Sequence, residues 1–127
     1  MRMRSGDDFT HTVRRGARVG TATVVVHGWR DEEASDGPLV GFVVAKSVGS
    51  AVTRNRVKRR LRHLVRDRLE SAPSGARLVV RALPPAAARP ARVPSDLDFA
   101  WAKLVRQWQP GYDNRAAAAR SHGRTRS

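Results

Sequence analysis

The chain contains no cysteine, and this absence excludes a disulfide framework, a thiolate zinc site and a cysteine nucleophile. Aromatic side chains make up only 6% of the 127 residues, so we expect a core of valine, leucine and alanine with a few rings. No apolar run approaches the roughly 20 residues needed to span a bilayer, and the first residues lack the apolar stretch of a signal peptide. We therefore expect a cytoplasmic protein without a membrane among its partners.

Acidic residues are also scarce. Only 11 Asp and Glu face 25 Lys and Arg, which gives a net charge of +14 in a small chain, and a large polyanion is the expected partner. Only three of these cations are lysines, and arginine suits bidentate contacts to phosphate and stacking on bases. A GC-rich genome would produce the same bias towards arginine, so the ratio alone stays open between the two explanations. The net charge is not explained in that way.

Candidates for catalysis are few. The spacing of metal ligands, as in HExxH, is absent from the scattered histidines: His11, His27, His63 and His122. No GxxxxGK[ST] phosphate loop, GxSxG elbow or GxGxxG fingerprint occurs. Asp96 and Asp98 are expected to cap a helix and face its dipole rather than act as an acid/base pair. We predict neither a catalytic residue nor a metal site in the chain itself.

Hydrophobic periodicity predicts one domain over residues 1–112. A short helix over 7–15 ends at Gly16, strands cover 21–29, 39–46 and 77–83, and a long helix covers 52–69. A last helix is expected to start at Ser95 as its N-cap and to place Trp101 and Trp108 in the core, after a proline-rich connection over 86–94. The order of these elements predicts helices packed on a mixed sheet. Residues 113–127 are predicted to form a basic, disordered tail.

The helix over 52–69 carries the densest charge. Eight of the 15 residues from 54 to 68 are Lys or Arg, opposed only by Asp67. Val57, Leu61, Leu64 and Val65 form an apolar stripe, and the cations fill the remaining arc, so one face can pack while the other reaches phosphates. Ordinary solvated helix faces mix acids and bases, so this pattern favours contact with nucleic acid.

The segment from residue 46 to residue 62 has the sequence KSVGSAVTRNRVKRRLR. Centred on Arg54-Asn55-Arg56, this segment resembles the signature of the bacterial ribonuclease P protein family. The similarity continues upstream at Asp8-Phe9 and Arg14-Arg15-Gly16, and downstream at Val79-Val80-Arg81-Ala82. It spans roughly residues 2 to 108 and leaves the basic tail outside.

The resemblance implies an α/β sandwich in which three helices pack a four-stranded mixed sheet, with a left-handed crossover through the Arg54-Asn55-Arg56 helix. A short fourth strand would lie near Arg18-Val19. It also implies a role as the protein subunit of an endoribonuclease, in which a catalytic RNA hydrolyses precursor tRNA. The subunit would stabilise that RNA and bind the 5′ leader of the substrate. Mg²⁺ would be required by the RNA-catalysed reaction, and no small molecule would be a substrate.

The resemblance also implies roles for individual residues. Six would contact the RNA subunit: Arg54, Asn55, Arg56, Lys58, Arg59 and Arg62. Four would line the leader-binding cleft: Phe9, Val13, His27 and Lys46. Four more would be auxiliary phosphate contacts: Arg14, Arg15, Arg60 and Arg66. The family's cleft uses aromatic rings to stack unpaired nucleotides. Val13 and His27 stand where many members carry such rings, and a core position is the alternative for Phe9.

Three other classes of protein share part of this pattern. A ribosomal or other structural RNA-binding protein would have the same size, charge and α/β composition. A small DNA-compacting protein and a nuclease that acts alone are the remaining alternatives. Only the extended motif around Arg54-Asn55-Arg56 separates these classes at the level of sequence.

Overall fold

A computed structural model describes residues 6–108 of the chain. Four strands form one sheet: β1 (Ala17–Gly20), β2 (Val24–Arg30), β3 (Leu39–Val44) and β4 (Ala76–Ala82). Their order is β1-β2-β4-β3, with β3 parallel to β4 and the other two neighbouring pairs antiparallel. The four-stranded mixed sheet is therefore confirmed, and β1 is the short strand expected near Arg18-Val19.

Four helices accompany the sheet in the described residues: α1 (Gly6–Arg15), α2 (Ala51–Arg66), α3 (Pro85–Ala88) and α4 (Val93–Arg106). Three of them were predicted. The single turn α3 was not, because the prolines around it indicated an irregular connection. Pro85 occupies the start of α3, where its fixed φ fits a helix and its missing N–H costs no hydrogen bond. Helix α2 joins β3 to β4 and so forms the crossover, whose left-handed sense stays a prediction.

The two faces of the sheet are covered by different helices. Val24 and Val26 of β2 belong to the hydrophobic core, together with the buried stripes of α2 and α4. Val25 and Val79 are also buried, yet they lie outside that core cluster, because side chains alternate along a strand and theirs point to the opposite face. Helix α1 packs against β2 and β4 on this opposite face. We call it the α1 face of the sheet.

Helix α1 ends at Arg15 because the chain must then pass close to β2. A Cβ atom at Gly16 would lie 2.6 Å from the carbonyl oxygen of Gly28, which is far inside van der Waals contact. The N–H of Gly16 still donates to the Thr12 carbonyl at 3.1 Å, so the last turn of the helix is closed. The predicted end of the first helix is thus confirmed, and close approach is the reason for the glycine.

Helix α4 begins three residues earlier than predicted, with Arg92 rather than Ser95 at its N-cap, so the assignment of Ser95 is wrong. A 3-10 turn over Pro90–Arg92 runs directly into Val93, and Arg92 already has helical φ and ψ angles. The Ser95 hydroxyl instead donates to the Arg92 carbonyl at 3.2 Å. Trp101 is confirmed as a core residue, only 2% exposed.

Asp96 and Asp98 connect α4 to other elements rather than cap it. One carboxylate oxygen of Asp96 accepts hydrogen bonds from the backbone N–H of Thr23 at 3.2 Å and from its hydroxyl at 2.8 Å. The Asp98 carboxylate forms an ion pair with Arg68, beyond the end of α2. These contacts fix α4 against the turn before β2 and against the crossover helix.

Candidate nucleic-acid interface

The start of α2 is set by its cap. The Ser50 hydroxyl oxygen accepts a hydrogen bond from the backbone N–H of Thr53 at 3.3 Å, so the helix begins at Ala51. Its first turn contains no acidic side chain, and the partial positive charge of the helix N-terminus therefore adds to that of the side chains that follow. The Arg54-Asn55-Arg56 motif comes directly after this first turn.

One side of α2 anchors it to the domain. Val57, Leu61 and Val65 are buried, and Leu64 is half-buried, as the apolar stripe predicted. Replacing a fully buried leucine such as Leu61 by alanine typically costs about 2–5 kcal/mol, so this side fixes the orientation of the helix firmly. The cations are thereby held on a rigid element.

The other side of α2 is cationic and lacks counterions. Among the described residues, Arg68 is the one cation of the segment 54–68 with a side-chain partner, the Asp98 carboxylate. Seven others form neither an ion pair nor a side-chain hydrogen bond there: Arg54, Arg56, Lys58, Arg59, Arg60, Arg62 and Arg66. Like charges three and four residues apart repel on a helix, so this surface gains from an external anion.

The predicted contacts of α2 divide between two sides of the helix. Arg54, Asn55 and Lys58 line a recess of about 140 Å³ beside Val44 at the end of β3. Arg56 and Arg60 line a second recess of about 100 Å³, facing α3 and the turn before α4. Arg59 is exposed and lines neither of these two recesses. A ligand that touches all these residues must therefore wrap around the exposed arc of the helix, which suits a folded polyanion.

The residues predicted for the leader cleft are only partly brought together. Val13 is half-buried on α1, and His27 lies on β2, on the α1 face of the sheet. Phe9 lies one helical turn before Val13, and its side chain is outside the described part of the structure. Arg14 and Arg15 are exposed at the C-terminal end of α1. Their positive charges interact favourably with the negative end of the helix dipole there and remain accessible to phosphate.

Lys46, the fourth residue predicted for the leader cleft, lies away from His27. It is exposed in a 3-10 turn beyond β3 and next to the start of α2. Val44 pairs with Ala82, which is three residues along β4 from Val79, the partner of His27. At about 3.3 Å per residue, Lys46 is roughly 10 Å or more from His27 along the strand direction alone. It therefore belongs with the α2 surface rather than beside His27.

His27 is part of a basic row across the α1 face of the sheet. Arg18 of β1 lies directly opposite His27, and Arg81 of β4 is its diagonal neighbour. Burial, together with the charges of Arg81 and Arg18, lowers the pKa of His27 below its usual value of 6.5. The ring is therefore neutral at pH 7, and within the described structure neither of its nitrogens has a hydrogen-bond partner.

Three features of this face could not be predicted from the sequence: the positions of Arg18 and Arg81 beside His27, and a contact between two rings. Arg18 and Arg81 join His27 only through the pairing of β1, β2 and β4, which no local pattern indicates. The ring of His11, on α1, contacts the ring of Trp29, on β2, with centroids 4.2 Å apart and planes at 50°. Helix and strand are far apart in sequence, so periodicity alone could not predict this contact.

Acidic side chains do not form a metal site in the part of the chain that the structure covers. No three residues of the His, Asp or Glu type there lie close enough together to hold a metal ion. Across the same residues, no helix has the length and apolar character needed to cross a membrane.

A cationic helix and a cationic sheet face on a small α/β scaffold are typical of the class of proteins that bind polyanionic chains. The family model described as Ribonuclease P matches residues 1–105. A ribonuclease P protein component from a Nocardioides species is 52% identical over 99 residues, which cover 76% of this chain and 85% of that protein. The chain from Streptomyces griseus with the same name is 50% identical over 112 residues, covering 82% and 91%.

Solved structures agree with the sequence comparison. The RNase P protein of Staphylococcus aureus is 26% identical and has a TM-score of 0.70, with 82% of this chain and 96% of that one covered. The RNase P protein of Thermotoga maritima is 25% identical with a TM-score of 0.67, covering 84% and 96%. The chain belongs to the ribonuclease P protein family, as its resemblance predicted.

Proposed function

We propose that this chain assists a catalytic RNA in removing the 5′ leader from precursor tRNA, stabilising that RNA through α2 and binding the leader on the α1 face of the sheet. Its membership of the ribonuclease P protein family supports this role. The observation that carries the proposal is the set of seven cations on α2 that have no ion-pair partner among the described residues, presented by a helix whose other side is anchored in the core.

The catalytic RNA is the natural ligand of α2. Phosphates of a folded RNA can neutralise cations on both sides of the helix, at the recess of Arg54 and Lys58 and at that of Arg56 and Arg60. Asn55 is exposed at the first of these recesses and supplies directional hydrogen bonds, as donor and as acceptor. Charge thus provides affinity, while the amide helps to fix the register.

The leader is assigned to the opposite face of the sheet. A 5′ leader presents unpaired bases and a phosphate backbone, and single-stranded RNA is bound by aromatic rings together with cations. The α1 face offers Arg18 and Arg81 beside the neutral ring of His27. The two RNAs are then bound on opposite faces of one sheet, so the protein can hold the leader while it is docked on the catalyst.

The Mg²⁺ of this reaction is assigned to the RNA. Mg²⁺ prefers oxygen ligands, mainly carboxylates and phosphates. Three described carboxylates already accept from protein donors, Asp96 from Thr23, Asp98 from Arg68 and Asp36 from Arg77, and no three His, Asp or Glu side chains of the described residues lie together as metal ligands. They do not fit a magnesium site, and no step of the proposed role passes through a metal held by the protein.

A cleavage assay tests the proposal. Precursor tRNA with a 5′ leader is incubated at low Mg²⁺ with the protein alone, with the cognate catalytic RNA alone, and with both. We expect no product from the protein alone and faster removal of the leader when both are present. The double variant Arg54→Gln/Arg56→Gln should remain folded, because neither side chain has a partner in the described structure, and should lose most of the stimulation.

The matched control changes charge away from α2. Glu32 and Glu33 are exposed in the acidic turn between β2 and β3, so Glu32→Gln/Glu33→Gln should keep full stimulation. Cleavage by the protein alone would indicate a self-sufficient nuclease. Tight binding of the catalytic RNA without any stimulation would favour a structural RNA-binding role, and either result would overturn the proposal.

A further inference from the structure

We infer that α3 and the 3-10 turn after it bind a further stretch of the catalytic RNA, with Arg89 and Arg92 as the phosphate contacts. We call these residues, 85–92, the α3 ridge. The inference rests on the proposed function and adds to it an RNA-binding surface outside α2. The ridge lies between two recesses, and each recess is lined by two arginines that the other lacks.

The first recess joins the ridge to the cationic helix. Helix α3 packs against α2, and the recess of about 100 Å³ between them contains Arg56 and Arg60. The ridge contributes Ala86, Ala87 and Pro90 to its other wall. The second recess has a volume of about 490 Å³ and is lined by Thr23, Pro84, Pro85, Ala88, Arg89 and Arg92. No residue is common to the two recesses, so they lie on different sides of the ridge.

Strand register places the second recess at the end of the sheet where α2 begins. Val24, the first residue of β2, pairs with Ala82 of β4, and Ala82 pairs with Val44 at the end of β3. The recess around Thr23 therefore opens at the same end of the sheet as the recess of Arg54 beside Val44. Strands β2 and β3 are two strand spacings of about 4.8 Å apart, so an RNA bound at the start of α2 needs to extend by only about 10 Å to reach the ridge.

The arginines of the second recess retain donors for an anion. Arg89 is exposed and forms neither an ion pair nor a side-chain hydrogen bond with the described residues. The side chain of Arg92 is 54% exposed and lies 3.7 Å from a carboxylate oxygen of Asp96, which is beyond hydrogen-bonding distance. The same oxygen already accepts two hydrogen bonds from Thr23. No acidic residue occurs in the sequence from residue 71 to residue 95, so the ridge keeps its positive charge.

The backbone of the ridge is held firmly. Ala86 and Val93, the residue that follows the ridge, are each 1% exposed and belong to the hydrophobic core. Pro85 and Pro90 fix φ at the first positions of α3 and of the 3-10 turn. The two arginines therefore stand on a rigid support, and binding has to order only their side chains.

The surface of the ridge suits a phosphate chain better than a protein. Its exposed residues are alanine, proline and arginine, and no large apolar side chain is exposed there. Protein interfaces depend on a few large anchors, whereas nucleic-acid interfaces gain affinity from cations that neutralise phosphates. The RNA that contacts Arg56 and Arg60 would continue across the ridge onto Arg89 and Arg92, so the catalytic RNA is the occupant.

The experiment measures binding of the full-length protein to the catalytic RNA across a series of salt concentrations. Arg89→Gln/Arg92→Gln removes two phosphate contacts, so the slope of log K against log salt should fall by about 1.4–1.8. The affinity ratio of wild type to variant should then be about 25- to 60-fold larger at 0.1 M salt than at 1 M. Hydroxyl-radical footprinting of the RNA at saturating protein should show one protected stretch that disappears in this variant and remains in Arg54→Gln/Arg56→Gln.

Lys103→Gln/Arg106→Gln is the matched control, because both cations are exposed on α4 at the same spacing of three residues. Its salt slope should equal that of the wild type. Equal slopes for the ridge variant and the control, or weaker binding of precursor tRNA with unchanged binding of the catalytic RNA, would overturn the inference. Failure of the proposed function would look different, since the wild-type protein itself would then not stimulate the catalytic RNA. Unfolding curves of each variant separate lost folding from lost contacts.

Discussion

Neutralising one cation of α2 should stabilise the free protein but weaken its complex with the catalytic RNA. Lys58 lies four residues after Arg54 and four before Arg62, and none of the three has a partner in the described structure. Each like-charge pair at this spacing destabilises a helix by about 0.2–0.5 kcal/mol. Lys58→Gln removes two such pairs at almost equal helix propensity, so it should stabilise the free protein by about 0.4–1 kcal/mol at low salt.

The same change should weaken the complex with the catalytic RNA. Each phosphate contact that is lost reduces the slope of log K against log salt by about 0.7–0.9. Urea unfolding at low and at high salt measures the stabilisation of the free protein. This stabilisation should vanish near 1 M salt, because charges are then screened within about 3 Å. Filter binding across a series of salt concentrations measures the affinity for the catalytic RNA and its salt slope.

Lys103→Gln is the matched control, because this lysine lies over the exposed ring of Phe99 on α4, at 5.6 Å from its centroid. It should leave both the salt slope and the affinity for the RNA unchanged. The reasoning is refuted if Lys58→Gln destabilises the free protein by more than about 1 kcal/mol, or if its salt slope equals that of the control.

Three further predictions concern the scaffold. Asp96→Ala should lower the unfolding free energy by about 2–4 kcal/mol, because the fully buried Thr23 loses its acceptor for two donors; a change under 1 kcal/mol in urea unfolding would contradict this. Gly16→Ala should cost about 1–3 kcal/mol, since its Cβ would lie 2.6 Å from the Gly28 carbonyl, and an unchanged melting temperature would refute it. Because burial chiefly lowers the pKa of His27 from 6.5, the unfolded chain binds this proton more readily, and stability should fall as pH drops below about 6.5. His27→Phe should flatten that part of the stability profile, and an equal slope in the variant would count against the assignment.

Local periodicity predicted the helix that carries the cationic surface. Helix α2 was predictable because Val57, Leu61 and Val65 recur at helical spacing and are indeed buried. Strand β1 could not be predicted from its own residues, since it is only four residues long, largely exposed and without apolar alternation. The resemblance alone indicated it.

Features that depend on contacts distant in sequence escaped prediction. Asp96 was expected to serve its own helix, and it does lie in the first turn of α4, but its carboxylate also accepts from Thr23, 73 residues away in sequence. The contact between the rings of His11 and Trp29 likewise depends on the packing of α1 against β2, which only the folded domain determines. The roles of Val13 and Lys46 in the leader cleft stay predictions, and the basic tail over 113–127 lies outside the described residues.

The central claim is that the cationic side of α2 lies against the catalytic RNA. Because the chain has no cysteine, one cysteine introduced as His63→Cys, at an exposed position of that side, can carry an iron chelate that releases hydroxyl radicals. In the assembled complex this probe should cut the catalytic RNA at a localised set of nucleotides, whereas the same probe at Glu33→Cys in the acidic turn should not. Localised cutting from Glu33→Cys and none from His63→Cys would contradict the account.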